Sequence, residues 1–265
     1  MSVPGQHRSL TARSVIASTL LGVSPPELST RSLVVTAELL GIATGTARVA
    51  LSRMVAAGEL EPVGDSYRLV GPNLLARQTR QVRSRDGSVG TWDGTWRTFV
   101  VVGDARPAAE RSELRAAMAM LRTAELREGV WLRPDNLASH PTRGPETIVD
   151  RQCLTFAATP DSPTDLAARL WDLGAWSTKA RDLRREMAKL NGPLQLGDPS
   201  ALAPGFVLSA AVLRHFQADP LLPAELLPAR WPGADLRVRY EAFDTAFRAT
   251  LADWQRAHSA ATAAP

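Results

Sequence analysis

Two glycines bracket the stretch that most restricts the fold, "GIATGTARVALSRMVAAGEL" at residues 41–60. Between Gly41 and Gly58, Ala47, Ala50, Leu51 and Met54 recur at i, i+3, i+4 and i+7, the period of one apolar helix face. Thr44 is a fair N-cap for that helix, and Gly58 supplies its end. At roughly 100° per residue, the opposite side carries Gly45, Arg48, Val49 and Ser52, with Thr46 and Arg53 flanking them. Such a face suits the major groove of DNA. Arg48 or Arg53 can donate two hydrogen bonds to a guanine edge, Ser52 can reach a base or a phosphate, and Val49 offers an apolar contact to a thymine methyl. Gly45 lets the backbone come close, and the free N–H groups at the Thr44 end favour a phosphate.

The surroundings agree with that reading. A helix from Thr11 to Leu21 is stopped by Pro25 and Pro26. A second helix, capped by Ser29, Thr30 or Ser32, places Leu33, Ala37 and Leu40 on one face before Gly41 turns the chain. After Gly58, "ELEPVGDSYRLV" gives two short strands around Gly64 and Asp65. Helix, helix, tight turn, helix, hairpin is the order of a winged helix-turn-helix. The hairpin tip is acidic rather than basic, and Arg68 is its candidate DNA contact. Charge points the same way. Residues 1–90 hold ten arginines and no lysine against six carboxylates, a surplus equal to the +4 of the whole chain. A polyanion such as double-stranded DNA should therefore meet this part of the chain.

Beyond it the pattern changes. "GPNLLARQTRQVRSRDGSVG" starts as a helix with Arg77, Arg80 and Arg83, then passes into a Gly/Ser stretch. "WRTFVVV" (96–102) reads as a strand, followed by an amphipathic helix from Ala108 to Arg127 through Leu114, Met118 and Leu121. "GVWLRP" and "QCLTFA" are two further strands, and no fourth strand is evident after the last. Strand, helix, strand, loop, strand suggests a ferredoxin-like α+β unit. From Asp161 the pattern is helical, interrupted by the proline-punctuated "DPLLPAELLPARWPG". The fold expected is therefore α+β and multidomain. It comprises a winged helix-turn-helix at 1–88, a central ferredoxin-like domain at 89–176 and an α-helical domain at 177–265.

Enzyme and metal chemistry are thinly represented. His7, His140, His215 and His258 lie far apart, without zinc spacing, and neither GxSxG nor GK[ST] occurs. Neither a cofactor nor an enzymatic activity is expected. The alternative, a metal-dependent nucleic-acid-processing nuclease, rests on Asp104 after "FVVV", where some α+β nucleases hold a metal. Cys153 is the only cysteine, so no intrachain disulfide forms, and a buried thiol in a reducing cytoplasm is expected. No stretch approaches the roughly 20 apolar residues of a membrane span. All seven tryptophans lie beyond residue 90, where they belong to cores, interfaces or a pocket for an aromatic or acyl ligand.

Four motifs together resemble the PaaX family, transcriptional repressors of phenylacetic acid degradation. They are "ARVALSRMVAAGEL", "WDGTW" entering a strand, "GVWLRPDNL" and "DPLLPAELLPARWPG", in the family's order over nearly the whole chain. The first is generic to winged helices, and the last joined to "WDGTW" is specific. The resemblance implies an N-terminal winged helix, a middle domain related in fold to the CRISPR-associated Cas2 nuclease but not a nuclease, and a helical C-terminal domain. It implies a homodimer on palindromic operators that phenylacetyl-CoA or a related acyl-CoA releases, with Thr44 to Arg53 as recognition positions. A CoA effector calls for an arginine near a Trp-lined cleft, which makes Arg133 beside Trp131 the candidate ligand pair.

Overall fold

Thr11 opens the first helix, α1 (Ala12–Leu21), with a reciprocal cap. Its hydroxyl accepts the Ser14 N–H at 3.2 Å, while Ser14 Oγ accepts the Thr11 N–H at 3.0 Å. Two N–H groups that the helix itself leaves unpaired are thereby satisfied. Ser29 caps α2 (Thr30–Leu39) in a similar way. At the far end of α2, Gly41 takes φ +77°, its N–H reaches Glu38 O at 2.9 Å, and the Ile42 N–H reaches Ala37 O at 3.0 Å. Gly58, at φ +66°, closes α3 (Thr44–Ala56) with the same pair of bonds, Glu59 N–H to Met54 O at 2.9 Å among them. Both turns need the left-handed conformation that glycine adopts most cheaply.

The structure, a computed structural model, describes residues 10–103, 106–137 and 144–261. Among these, ten α-helices and two small sheets make a mixed α/β protein. The chain divides into two units, Met1–Val82 with Leu183–Leu213 and Val238–Pro265, and Arg83–Asp182 with Arg214–Arg237.

In the first unit, α1, α2 and α3 pack on one another around Ile16, Leu20, Leu33, Leu51 and Met54, all buried. The expected hairpin forms as β2 (Leu60–Val63) and β3 (Ser66–Leu69). A third strand, β1 (Glu27–Ser29), pairs with the other edge of β3. The sequence hid β1 because three residues after two prolines show no periodicity. The unit also draws on α8 (Leu173–Gln195), α9 (Leu202–Gln217) and α10 (Gly233–Ala261), which follow α4 (Pro72–Asp86) and the elements below. The Gln255 amide of α10 donates to the buried Thr36 Oγ1 of α2 at 3.0 Å, and Thr250 Oγ1 donates to Leu194 O at 2.7 Å.

The second unit contains β4 (Trp96–Val101), α5 (Ala108–Met120), β5 (Ala124–Arg127), β6 (Val130–Pro134), α6 (Gly144–Gln152) and β7 (Cys153–Ala158). The sheet order is β5-β6-β4-β7, with every neighbouring pair antiparallel. Alternation along the strands sends Trp96 and Leu132 to one face, against Ala167 of α7 (Pro163–Leu170) and Leu222. Phe99 goes to the other, against Leu114 and Met118 of α5, Val149 of α6 and Cys153. Cys153 is the buried thiol expected, and its burial raises the thiol pKa.

One expected element is corrected here. The helix read from Ala108 to Arg127 stops at Met120, and Ala124–Arg127 is the strand that was missing. Arg122 closes α5 in the position glycine usually takes, at φ +55°, with its N–H on Ala119 O (3.2 Å) and the Thr123 N–H on Met118 O (3.1 Å). Its guanidinium then binds Phe216 O, Gln217 O, Asp219 O and, at 3.0 Å, Ser84 Oγ. These bonds offset the backbone strain, and no glycine announced the turn. Arg122→Ala should therefore destabilise the fold by about 2–4 kcal/mol, since it keeps the left-handed strain and strips part-buried carbonyls of a donor. Arg122→Gly should recover roughly 1 kcal/mol of that loss. Urea unfolding of the two variants checks the order.

Candidate nucleic-acid interface

The side chains of α3 separate as their spacing requires. Ala47, Leu51 and Met54 are buried, Ala50 is half-buried, and Thr44, Gly45, Thr46, Arg48, Val49, Ser52 and Arg53 are exposed. Val49 leaves 51 % of its surface in solvent, an open position for a β-branched apolar residue. No Cβ placed on Gly45 would meet an atom within 4 Å. Among the described residues, the Arg48 and Arg53 side chains form neither a hydrogen bond nor an ion pair. Ser52 Oγ bonds back to Arg48 O at 3.2 Å.

Thr44 is not the cap expected. Ala43 holds the N-cap backbone, at φ −59° and ψ 143°, and Thr44 is the first helical residue, its hydroxyl donating to the Glu38 carboxylate. The first turn of α3 consequently has no side-chain cap.

Beside α3 lies a groove of about 430 Å³ shared with the start of α1. Ala12, Val49, Ala50 and Met54 line it, as do Arg13, Arg53 and Glu59.

Arg68, on β3, is already engaged. Its guanidinium meets Glu27 at 2.8 Å and Glu61 at 3.0 Å. The hairpin tip is tied to α2, because Asp65 O accepts both the Thr30 N–H (2.8 Å) and its hydroxyl (2.7 Å).

Arg133 and Trp131 do not form the open cleft expected of them. Arg133 is 4 % exposed. It donates to Pro134 O at 2.8 Å, Leu121 O at 3.0 Å and Asn136 Oδ1 at 2.6 Å, which leaves little for a phosphate. Burial pushes its pKa down to about 9. Trp131 packs half-buried on the Phe99 core.

Sequence reasoning missed a polar centre in the same unit. The buried Asp219 takes Arg237 at 2.8 Å and the Leu221 N–H at 3.0 Å, so the first residue of the "DPLLP" motif anchors the turn that follows. Trp176 is sandwiched between His215 (4.2 Å between centroids) and Trp231 (4.4 Å). His215 is itself buried. Among the described residues no three His, Cys, Asp or Glu side chains gather as metal ligands. Asp104, with the nuclease alternative that rested on it, lies outside the described residues, as do His7 and His140.

An exposed, arginine-bearing helix on a small helical head, in a chain that also carries a four-stranded antiparallel sheet, defines a class that comparison with known proteins narrows. The description of a PaaX-like protein matches residues 11–71, that of the PaaX protein central Cas2-like domain residues 89–162, and that of the PaaX-like protein C-terminal domain residues 171–256. The chain belongs to the PaaX family. No curated protein matches it. Among solved structures, the uncharacterized protein Rv0674 from Mycobacterium tuberculosis is 40% identical, with a TM-score of 0.71 over 94% of this chain and 100% of that one. No helix among the described residues is long and apolar enough to cross a membrane.

The His215 environment predicts an acid response. Burial, the largest influence, lowers its pKa below 6.5, so the folded protein favours the neutral ring while the unfolded chain takes up a proton. This contribution is complete above about pH 6.5 and is lost as pH falls through the window below it. Urea midpoints between pH 7.5 and 5.5 should fall, and His215→Phe should flatten the decline.

Proposed function

We propose that this PaaX-family regulator is a homodimeric transcriptional repressor that binds double-stranded DNA through a winged helix-turn-helix. In this reading α1, α2 and α3 with the β1-β3-β2 sheet form the module, and α3 is the recognition helix. The observation that carries it is the α3 face, where Arg48, Val49 and Arg53 project from a helix anchored by Ala47, Leu51 and Met54. Both guanidiniums have their forks free for a guanine edge, and the uncapped first turn has N–H groups for a phosphate. Gly45, Thr46 and Ser52 complete the reading face, with Thr44 at its start. Arg68 contributes less, because two carboxylates already hold it.

The β-α-β-β-α-β order of the second unit supports a ferredoxin-like, Cas2-like domain. The remaining helices serve dimerisation and sensing rather than catalysis, without a cofactor. A dimer reads two half-sites of a palindromic operator about 34–36 Å apart. An effector that prefers a different spacing shifts the population away from DNA. By family, that effector is phenylacetyl-CoA or a related acyl-CoA, the target is an aromatic-acid catabolic operon, and the setting is the cytoplasm.

Selection from a random duplex library with the wild-type chain, followed by gel shifts, tests this. Arg48→Ala or Arg53→Ala should weaken binding to the selected duplex by about 1–3 kcal/mol. Arg68→Ala should cost less than either. Affinity should drop steeply with added salt, and phenylacetyl-CoA should release the duplex. A library that enriches no sequence, with binding indifferent to both substitutions, would overturn the proposal.

A further inference from the structure

We infer that the groove between α1 and α3 seats one sugar–phosphate strand of the bound duplex, with Arg13 as a phosphate contact whose charge Glu59 masks in the free protein. The inference rests on the DNA reading above. An α-helix about 10–12 Å across fills a major groove about 12 Å wide, so backbone must lie against whatever adjoins the recognition helix. On the α1 side, that neighbour is this groove. Its lining by Ala12, Ala50 and Met54 suits deoxyribose carbons, and Arg13 beside them suits a phosphate.

Arg13 reaches into solvent, its side chain 58% exposed, while the Glu59 carboxylate is the fixed half at 20%. The Glu59 main chain is held, because its N–H closes α3 on Met54 O. The pair is two-pronged, Arg13 Nε on Glu59 Oε2 at 2.9 Å and Nη2 on Oε1. That engages two of the five N–H groups of a guanidinium and leaves three to donate elsewhere. A phosphate arriving in the groove therefore finds an arginine already oriented, but also a carboxylate that cancels its charge. Replacing Glu59 should strengthen binding and replacing Arg13 should weaken it.

The probes are a 30-base-pair duplex enriched by the wild-type chain and an unrelated duplex of the same length. Arg13→Ala should weaken binding to both by roughly fivefold or more, since a phosphate contact carries no sequence information. It should also reduce the slope of log affinity against log salt by about 0.9, with Arg13→Lys restoring most of it. Glu59→Gln should tighten binding to both duplexes about two- to fivefold by relieving the opposing charge. An exposed pair adds little to folding, so thermal melts of all three variants should match the wild type. If Arg13→Ala binds within about twofold of wild type with an unchanged slope, while Arg48→Ala and Arg53→Ala weaken binding, the groove is not a backbone seat and the recognition helix stands. If none of the arginine variants changes binding, the DNA reading fails with it. Glu59→Gln binding more weakly than wild type overturns the masking role.

Discussion

Left-handed closing turns decide where the helices stop, and the rest of the structure depends on those stops. Gly41 ends α2 and frees the chain to start α3 on a new axis, which is what gives α3 a solvent face of its own. Gly58 ends α3 in time for β2. Arg122 ends α5 two residues before β5, and without that stop the β5-β6-β4-β7 sheet would lose an edge strand. Glycine makes such a turn at no steric cost. An arginine there costs about 1–2 kcal/mol. Arg122 offsets the cost with a guanidinium that donates to carbonyls at the end of α9.

That difference explains what was legible in the sequence. Helices closed by glycine and faced by apolar residues at a period of 3.6 could be read directly, and so could the hairpin around Gly64 and Asp65. The exposed face of α3 followed by elimination, because once Ala47, Leu51 and Met54 face a core the residues between them must not. The stop at Arg122 depends on carbonyls far away in sequence, so the periodicity of Leu114, Met118 and Leu121 ran on through it. Strand β1 is too short to show a period. The Ala43 cap departs from residue preference, and only its backbone angles reveal it.

The same division separates the candidate site residues. The exposed face of α3 is a property of one helix and its neighbours, and local sequence defines it. Arg133 sits two residues from Trp131 on one strand, which looks like a ligand pair until Leu121, Pro134 and Asn136 take up its donors. Asp219, buried, and Arg237, half-buried, are 18 residues apart, and no short motif marks them as partners. Burial of an ion pair is a tertiary fact. A sequence can offer the charges but cannot say which of them will be dry.

Counting charge by segment treats every arginine alike, and the structure does not. Arg13 stands against one carboxylate and Arg68 against two, so neither presents net positive charge to anything more than a Debye length away, about 8–10 Å at ordinary salt. Arg48 and Arg53 carry no such partner among the described residues, so their field reaches further. An approaching polyanion is then drawn toward the face of α3 rather than toward the hairpin or the start of α1. Under the proposed DNA reading, the masked arginines would engage only at contact, when a phosphate is close enough to compete with the carboxylate. Under that reading, excess charge would bring the two molecules together, and pairing of the other arginines would set the orientation in which they meet.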